Sequence, residues 1–92
     1  MLAAALDHGR GSLFGLINNA GITHHSGLAG LDEDGLARVM ATNVHAPLFL
    51  TQLALEDLAR SQGSVIFIGS VHTRLALPGR LAYAASKGAI VN

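Results

Sequence analysis

The one tyrosine in this 92-residue chain, Tyr83, stands four residues before the one lysine, Lys87. Residues four apart on a helix share a face, so a helix here puts the phenol and the ammonium side by side. An ammonium about 4 Å from a phenolate, at an effective dielectric of about 20, stabilises the anion by roughly 4 kcal/mol. Such a pair suits general acid–base work, in which a side chain gives or takes a proton during reaction. Upstream lie further polar residues: the cluster Asn18-Asn19-Ala20-Gly21 and Ser70, with His72 close behind it, at strand-ending positions, and Asn43 in the stretch between them.

The elements that must position these residues are legible from periodicity. Met1 to about His8 reads as the tail of a helix, ended by Gly9 and Gly11. Leu13-Phe14-Gly15-Leu16-Ile17 is a continuous apolar run, the pattern of a strand buried on both faces. The Asn-Asn-Ala-Gly cluster ends it as a turn. Asp32 is an N-cap candidate, and Glu33 and Asp34 favour the positive end of the helix that follows. That helical pattern continues to about Arg60, interrupted at Pro47. Ser64 to Ile68 forms a second buried strand closed by Gly69-Ser70, and a last helix starts near Leu81 after Pro78-Gly79.

The order is helix tail, strand, helix, strand, helix start. This is one βαβ unit, with its strands expected to be parallel and its crossover right-handed. Ligands of open α/β sheets bind beyond the carboxyl ends of the strands, and both polar clusters fall there. Pro47 also carries a local consequence. It has no N–H to return to the carbonyl of Asn43, so that carbonyl is open to a water in mid-helix.

Composition narrows the function class. Half of the residues are hydrophobic and only 13% are charged, against about 25% in an ordinary soluble domain. A short chain needs more polar covering, so this balance is that of a central piece of a larger domain. The formal net charge is zero, and the arginines are dispersed, which leaves no basic footprint for nucleic acid. The absence of cysteine removes disulfides and thiolate metal sites. No apolar run reaches the length of a membrane span. The start lacks a basic n-region and meets Asp7 too early for a signal peptide. The expectation is a soluble cytoplasmic protein. His24-His25 and His72 lie in loops without a carboxylate at metal-ligand spacing, so solvated loop or substrate-pocket roles are expected and no metal.

Taken in order, Asn18-Asn19-Ala20-Gly21, Thr42-Asn43-Val44, Ile68-Gly69-Ser70 and Tyr83-Ala84-Ala85-Ser86-Lys87 resemble the short-chain dehydrogenase/reductase family across essentially the whole chain. The resemblance implies an α/β fold, a partial Rossmann-type doubly wound parallel sheet consisting of one βαβ unit and flanking helix pieces. It implies an oxidoreductase that moves hydride between NAD or NADP and an alcohol or carbonyl substrate. Tyr83 would be the general acid or base, and Ser70 would hydrogen-bond the substrate oxygen. Lys87 would bind the nicotinamide ribose and assist the tyrosine. Asn43 would hold a relay water, and Asn19, Ala20 and Gly21 would line the cofactor cleft. His72, two residues past Ser70, is the candidate for a further substrate contact. The full-length form would be a homo-oligomer.

Gly21-Ile22-Thr23 and Ile68-Gly69-Ser70-Val71 are similar to the 3-oxoacyl-carrier-protein reductase branch, while Val71-His72 is similar to sugar and hydroxyacid dehydrogenases. The family's glycine-rich dinucleotide turn has no counterpart in residues 1–92, which reads as the central fragment of a single NAD(P)-binding domain. An alternative is an inactive segment that acts as a helix-mediated interaction module.

Overall fold

The computed structural model describes residues 2–75 and 77–91. Its elements are α1 (Leu2–His8), β1 (Gly15–Asn18), α2 (Glu33–Met40), a π-helical turn (Ala41–His45), α3 (Ala46–Arg60), β2 (Ser64–Phe67), a 3-10 turn (Val71–Thr73) and α4 (Leu81–Ala89). β1 and β2 pair in parallel, Gly15 with Ser64 through Asn18 with Phe67. The chain therefore forms the expected βαβ unit, a partial α/β sheet of Rossmann type.

Asp32 caps α2 by accepting from the Gly35 amide, and Glu33 and Asp34 occupy the first turn. The hydrogen bond satisfies one of the helix's orphan amides, and the charges oppose its positive end. The helix then departs from expectation. Pro47 does not interrupt it; α2 and α3 run on through a π-helical turn just before the proline, where the Ala46 amide reaches back to the Ala41 carbonyl. A proline ring collides with the carbonyl four residues earlier and supplies no donor. One wide turn accommodates it without breaking the rod. Pro47 is itself buried in the first turn of α3.

α3 packs on one face of the two strands. Val39, Ala54, Leu58 and Ala82 are the most buried apolar residues. The opposite sheet face, with Ile17 and Ile66, is exposed, as are Leu48, Phe49, Leu53 and Leu55 of α3. The radius of gyration is 15.5 Å, where a compact domain of this length has about 12 Å. Both strands have apolar side chains on two faces, and only one face is covered, so the core is open on the side away from α3. Among the described residues no helix is long and apolar enough to cross a membrane.

α4 is placed against α2 and the π turn. Its start is stapled to the loop after β1: Ser26 and Arg80 form a parallel bridge, and the Leu81 amide donates to the Ser26 carbonyl at 3.3 Å. This brings the tyrosine and lysine of α4 over the carboxyl ends of both strands.

Candidate active site

β1 ends at Asn18, whose side chain is buried and donates to Thr51 Oγ1 on α3 at 3.2 Å. That bond fixes where the chain turns, and residues 19–21 leave the sheet as an exposed strip. Asn43 reaches up from the π turn to the continuation of this strip. Its Oδ1 accepts from the Ile22 amide at 2.9 Å, and its Nδ2 donates to the Ile22 carbonyl at 2.8 Å and to Ser86 Oγ at 3.0 Å. Ser86 Oγ in turn donates to the Tyr83 carbonyl at 2.7 Å. The π turn, the post-β1 loop and α4 are thus joined through two side chains that are 1% and 0% exposed.

Lys87 is nearly buried, at 4% exposure. Its Nζ donates to the Ile68 carbonyl, just past β2, at 2.8 Å. The same nitrogen is 5.8 Å from the centre of the Tyr83 ring. A buried ammonium needs acceptors. The Ile68 carbonyl takes one of its three donors, which leaves two for a ligand. Gly21 closes over this point: a β-carbon there would be 3.6 Å from Asn43 Oδ1 and 3.7 Å from Lys87 Nζ.

Ser70 stands at the end of the second strand's extension, and its Oγ accepts from the His72 amide at 3.2 Å, capping the 3-10 turn. The turn carries His72 to the tyrosine, ring edge to ring face at 5.8 Å and 82°. Gly21, Ile22, Thr23, His72, Arg80 and Tyr83 line a cleft of about 300 Å³. A second, more apolar cleft of about 410 Å³ lies along the strip's other side, bordered by Asn19, Ala20, Thr42, Ala46 and Pro47. A phenol lines the open cavity, with a fixed ammonium behind Gly21 and a hydroxyl-capped turn tied to its wall through His72, an arrangement suited to moving a proton to or from a bound oxygen.

The family model for the short chain dehydrogenases matches residues 1–92. The chain belongs to that family. It is 41% identical over 83 residues to 2-(S)-hydroxypropyl-CoM dehydrogenase 3 of Xanthobacter autotrophicus, a match covering 89% of this chain and 32% of the relative. It is 38% identical over 90 residues to gluconate 5-dehydrogenase of Gluconobacter oxydans, covering 97% of this chain and 35% of the relative. Among solved structures it resembles 4-hydroxyisoleucine dehydrogenase complexed with NADH and succinate, at 34% identity and a TM-score of 0.80 over 97% of this chain and 43% of that one. The chain spans about a third of the length of these curated relatives.

Within this short-chain dehydrogenase segment, the expected site residues divide between the two clefts. Tyr83, His72 and Gly21 meet at the smaller one, with Lys87 and Asn43 directly behind Gly21. Asn19 and Ala20 face the larger one. Ser70 is tied to the wall through the His72 amide. The histidine pair does not line either cleft. His24 packs over Gly35 with its Nε2 3.4 Å from Asp32 Oδ2, so it has a carboxylate neighbour that spacing did not reveal. His25 meets the Arg80 guanidinium. Two participants went unread in the sequence. Ser86, between Tyr83 and Lys87, carries no local signal of its bond to Asn43. Arg80 stands at the N-cap of α4, three residues before Tyr83, and reads in the sequence as one of the dispersed charges.

Proposed function

We propose that residues 1–92 are the central part of an NAD- or NADP-dependent short-chain dehydrogenase/reductase domain that interconverts an alcohol and a carbonyl. The observation that carries this reading is the pairing on α4: Lys87 fixed by the Ile68 carbonyl, Tyr83 one turn away and open to the cleft. The two free donors of Lys87 fit the hydroxyls of a nicotinamide ribose, and Gly21 beside them leaves room for a sugar. The nicotinamide would supply the hydride chemistry.

The chain's own residues supply the proton and the positioning. In reduction, Tyr83 Oη donates its proton to the substrate oxygen as negative charge builds there; in oxidation it takes the proton back. Ser70 Oγ holds that oxygen in line, and its present bond from the His72 amide leaves its own hydrogen free to donate. The ammonium of Lys87, held by the Ile68 carbonyl, lies 5.8 Å from the centre of the Tyr83 ring. Asn43 keeps Ile22 and α4 in register, and its carbonyl, which Pro47 cannot engage, is the position for a water serving the lysine. Asn19 and Ala20, on the larger cleft, would border the remainder of the cofactor. The open apolar faces of the sheet and of α3 would be covered by the rest of the domain and by a second subunit.

The test is turnover by the complete protein with NAD(H) and NADP(H). Tyr83→Phe should lower kcat by about 10²-fold or more while leaving the affinity for NADH within a small factor. Full activity in Tyr83→Phe would remove the phenol from the mechanism. Failure of the wild type to bind either nucleotide would remove the reading altogether.

A further inference from the structure

The smaller cleft contains more than the tyrosine needs. Of its six lining residues, Gly21, Ile22 and Thr23 form one wall and Tyr83 the reacting end; His72 and Arg80 complete it, and none is acidic. Arg80 is fixed through its main chain. It bridges to Ser26, its amide donates to the Leu77 carbonyl at 3.2 Å, and its carbonyl accepts the Ala84 amide at 2.9 Å. A staple of the loop to α4 needs this backbone alone; the guanidinium is surplus to it. Among the described residues, the ion pairs are His24 with Asp32 and Arg60 with Asp57, and Arg80 belongs to neither. Its one side-chain partner is the exposed imidazole of His25. A guanidinium has five N–H donors in a planar fork, so most of them have no protein acceptor. Beside it, His72 Nδ1 is closed off from solvent and has no hydrogen-bond partner.

An always-charged fork with most of its donors unfilled and no carboxylate in the same wall leave the cleft short of one acceptor group. Resting on the oxidoreductase reading above, we infer that the substrate carries a carboxylate or similar planar anion, and that Arg80 binds it and sets specificity. Arg80, the N-cap of α4, and Tyr83 in its first turn line the same cleft of about 300 Å³. The anion therefore lies close to the reacting carbon, as in a short hydroxy acid or oxo acid. Arginine matches such a group with two parallel N–H···O bonds, which a lysine cannot reproduce.

Succinate and its uncharged analogue succinamide are suitable probes because neither reacts. Binding of each to the complete protein with NADH bound is followed by the change in NADH fluorescence, for the wild type, Arg80→Met and Arg80→Lys. The wild type should bind succinate and discriminate against succinamide. Arg80→Met should weaken succinate binding by about tenfold or more, with Arg80→Lys between the two and NADH affinity unchanged in all three. Equal succinate affinity in Arg80→Met, no preference over succinamide, or no succinate binding by an NADH-loaded wild type would each overturn the assignment. Loss of NADH binding confined to the Arg80 variants would also overturn it, showing that the arginine serves the cofactor or the fold. Loss of NADH binding in the wild type would instead bring down the oxidoreductase reading and the anion site with it.

Discussion

The side-chain amide of Asn43 holds the main chain of Ile22 at both ends, accepting from its N–H at 2.9 Å and donating to its carbonyl at 2.8 Å. An amide side chain paired in this way imitates a neighbouring strand, and it fixes the loop leaving β1 at the height of α4. The third bond, to Ser86 Oγ, ties the same group to the tyrosine's own helix. Both Nδ2 hydrogens are committed and Oδ1 is already engaged by Ile22, while the main-chain carbonyl of Asn43 is one that Pro47 cannot engage. The asparagine is therefore a positioning residue in its side chain, whatever its backbone does.

Replacing Asn43 should show this division. Asn43→Ala removes one buried and two part-buried hydrogen bonds at about 1 kcal/mol each, so a loss of about 2–3 kcal/mol is expected in urea unfolding of the complete protein. Asn43→Asp should be no better, since it sets a carboxylate oxygen against the Ile22 carbonyl in a buried place. Hydrogen exchange at the Ile22 amide should accelerate in both. An unaltered Ile22 exchange rate in Asn43→Ala would show that the loop holds itself.

Gly63 offers a test of the strand register. A β-carbon there would be 2.4 Å from the Phe14 carbonyl oxygen, and main chain cannot swing aside as a side chain can. The next residue, Ser64, donates to that same carbonyl at 3.0 Å, beginning the β1–β2 ladder. Gly63→Ala should cost about 1–3 kcal/mol by overpacking, with the loss of protection concentrated in residues 15–18 and 64–67. A neutral or stabilising alanine would mean that the strands approach less closely than the structure has them.

The His24 ring lies over Gly35, where a β-carbon would be 2.6 Å from the imidazole. In an open helix, glycine to alanine gains about 1 kcal/mol. Here the gain competes with displacing His24 from Asp32, the residue that caps α2. Gly35→Ala should therefore be less favourable in the wild type than in a His24→Ala background, by at least about 0.5 kcal/mol in a double-mutant cycle. Additivity of the two changes would show that the ring is free to move away.

What was legible in the sequence was whatever local pattern decides. The apolar runs ending at Ile17 and Ile68, the Asp32 cap and the four-residue spacing of Tyr83 and Lys87 predict the βαβ unit and its helix-borne pair, and the strands and helices fall within a few residues of those positions. The departures arise from contacts between distant residues. Pro47 announces an irregularity, but whether a helix kinks or widens depends on what its carbonyls meet. A serine such as Ser86 shows no sign that an asparagine 43 residues away will bond to it. Arg80 reads as one dispersed charge until the loop after β1 folds over it and makes it a cleft wall.

The π turn gives Pro47 a test of its own. An alanine in its place restores an N–H that can reach the carbonyl of Asn43, four residues back, and it removes the ring clash that favours the wide turn. Pro47→Ala should therefore draw residues 41–46 toward regular α-helix. Pro47 is buried, so the smaller side chain also leaves a void. Stability alone cannot separate these effects, and the solvent deuterium isotope effect on turnover is the better measure. If the freed carbonyl holds a water that passes protons to Lys87, a competing amide should slow that transfer and raise the isotope effect on kcat, with cofactor affinity little changed. An isotope effect identical to the wild type's, in a variant whose helix has regularised by hydrogen exchange, would show that the carbonyl of Asn43 takes no part in proton movement.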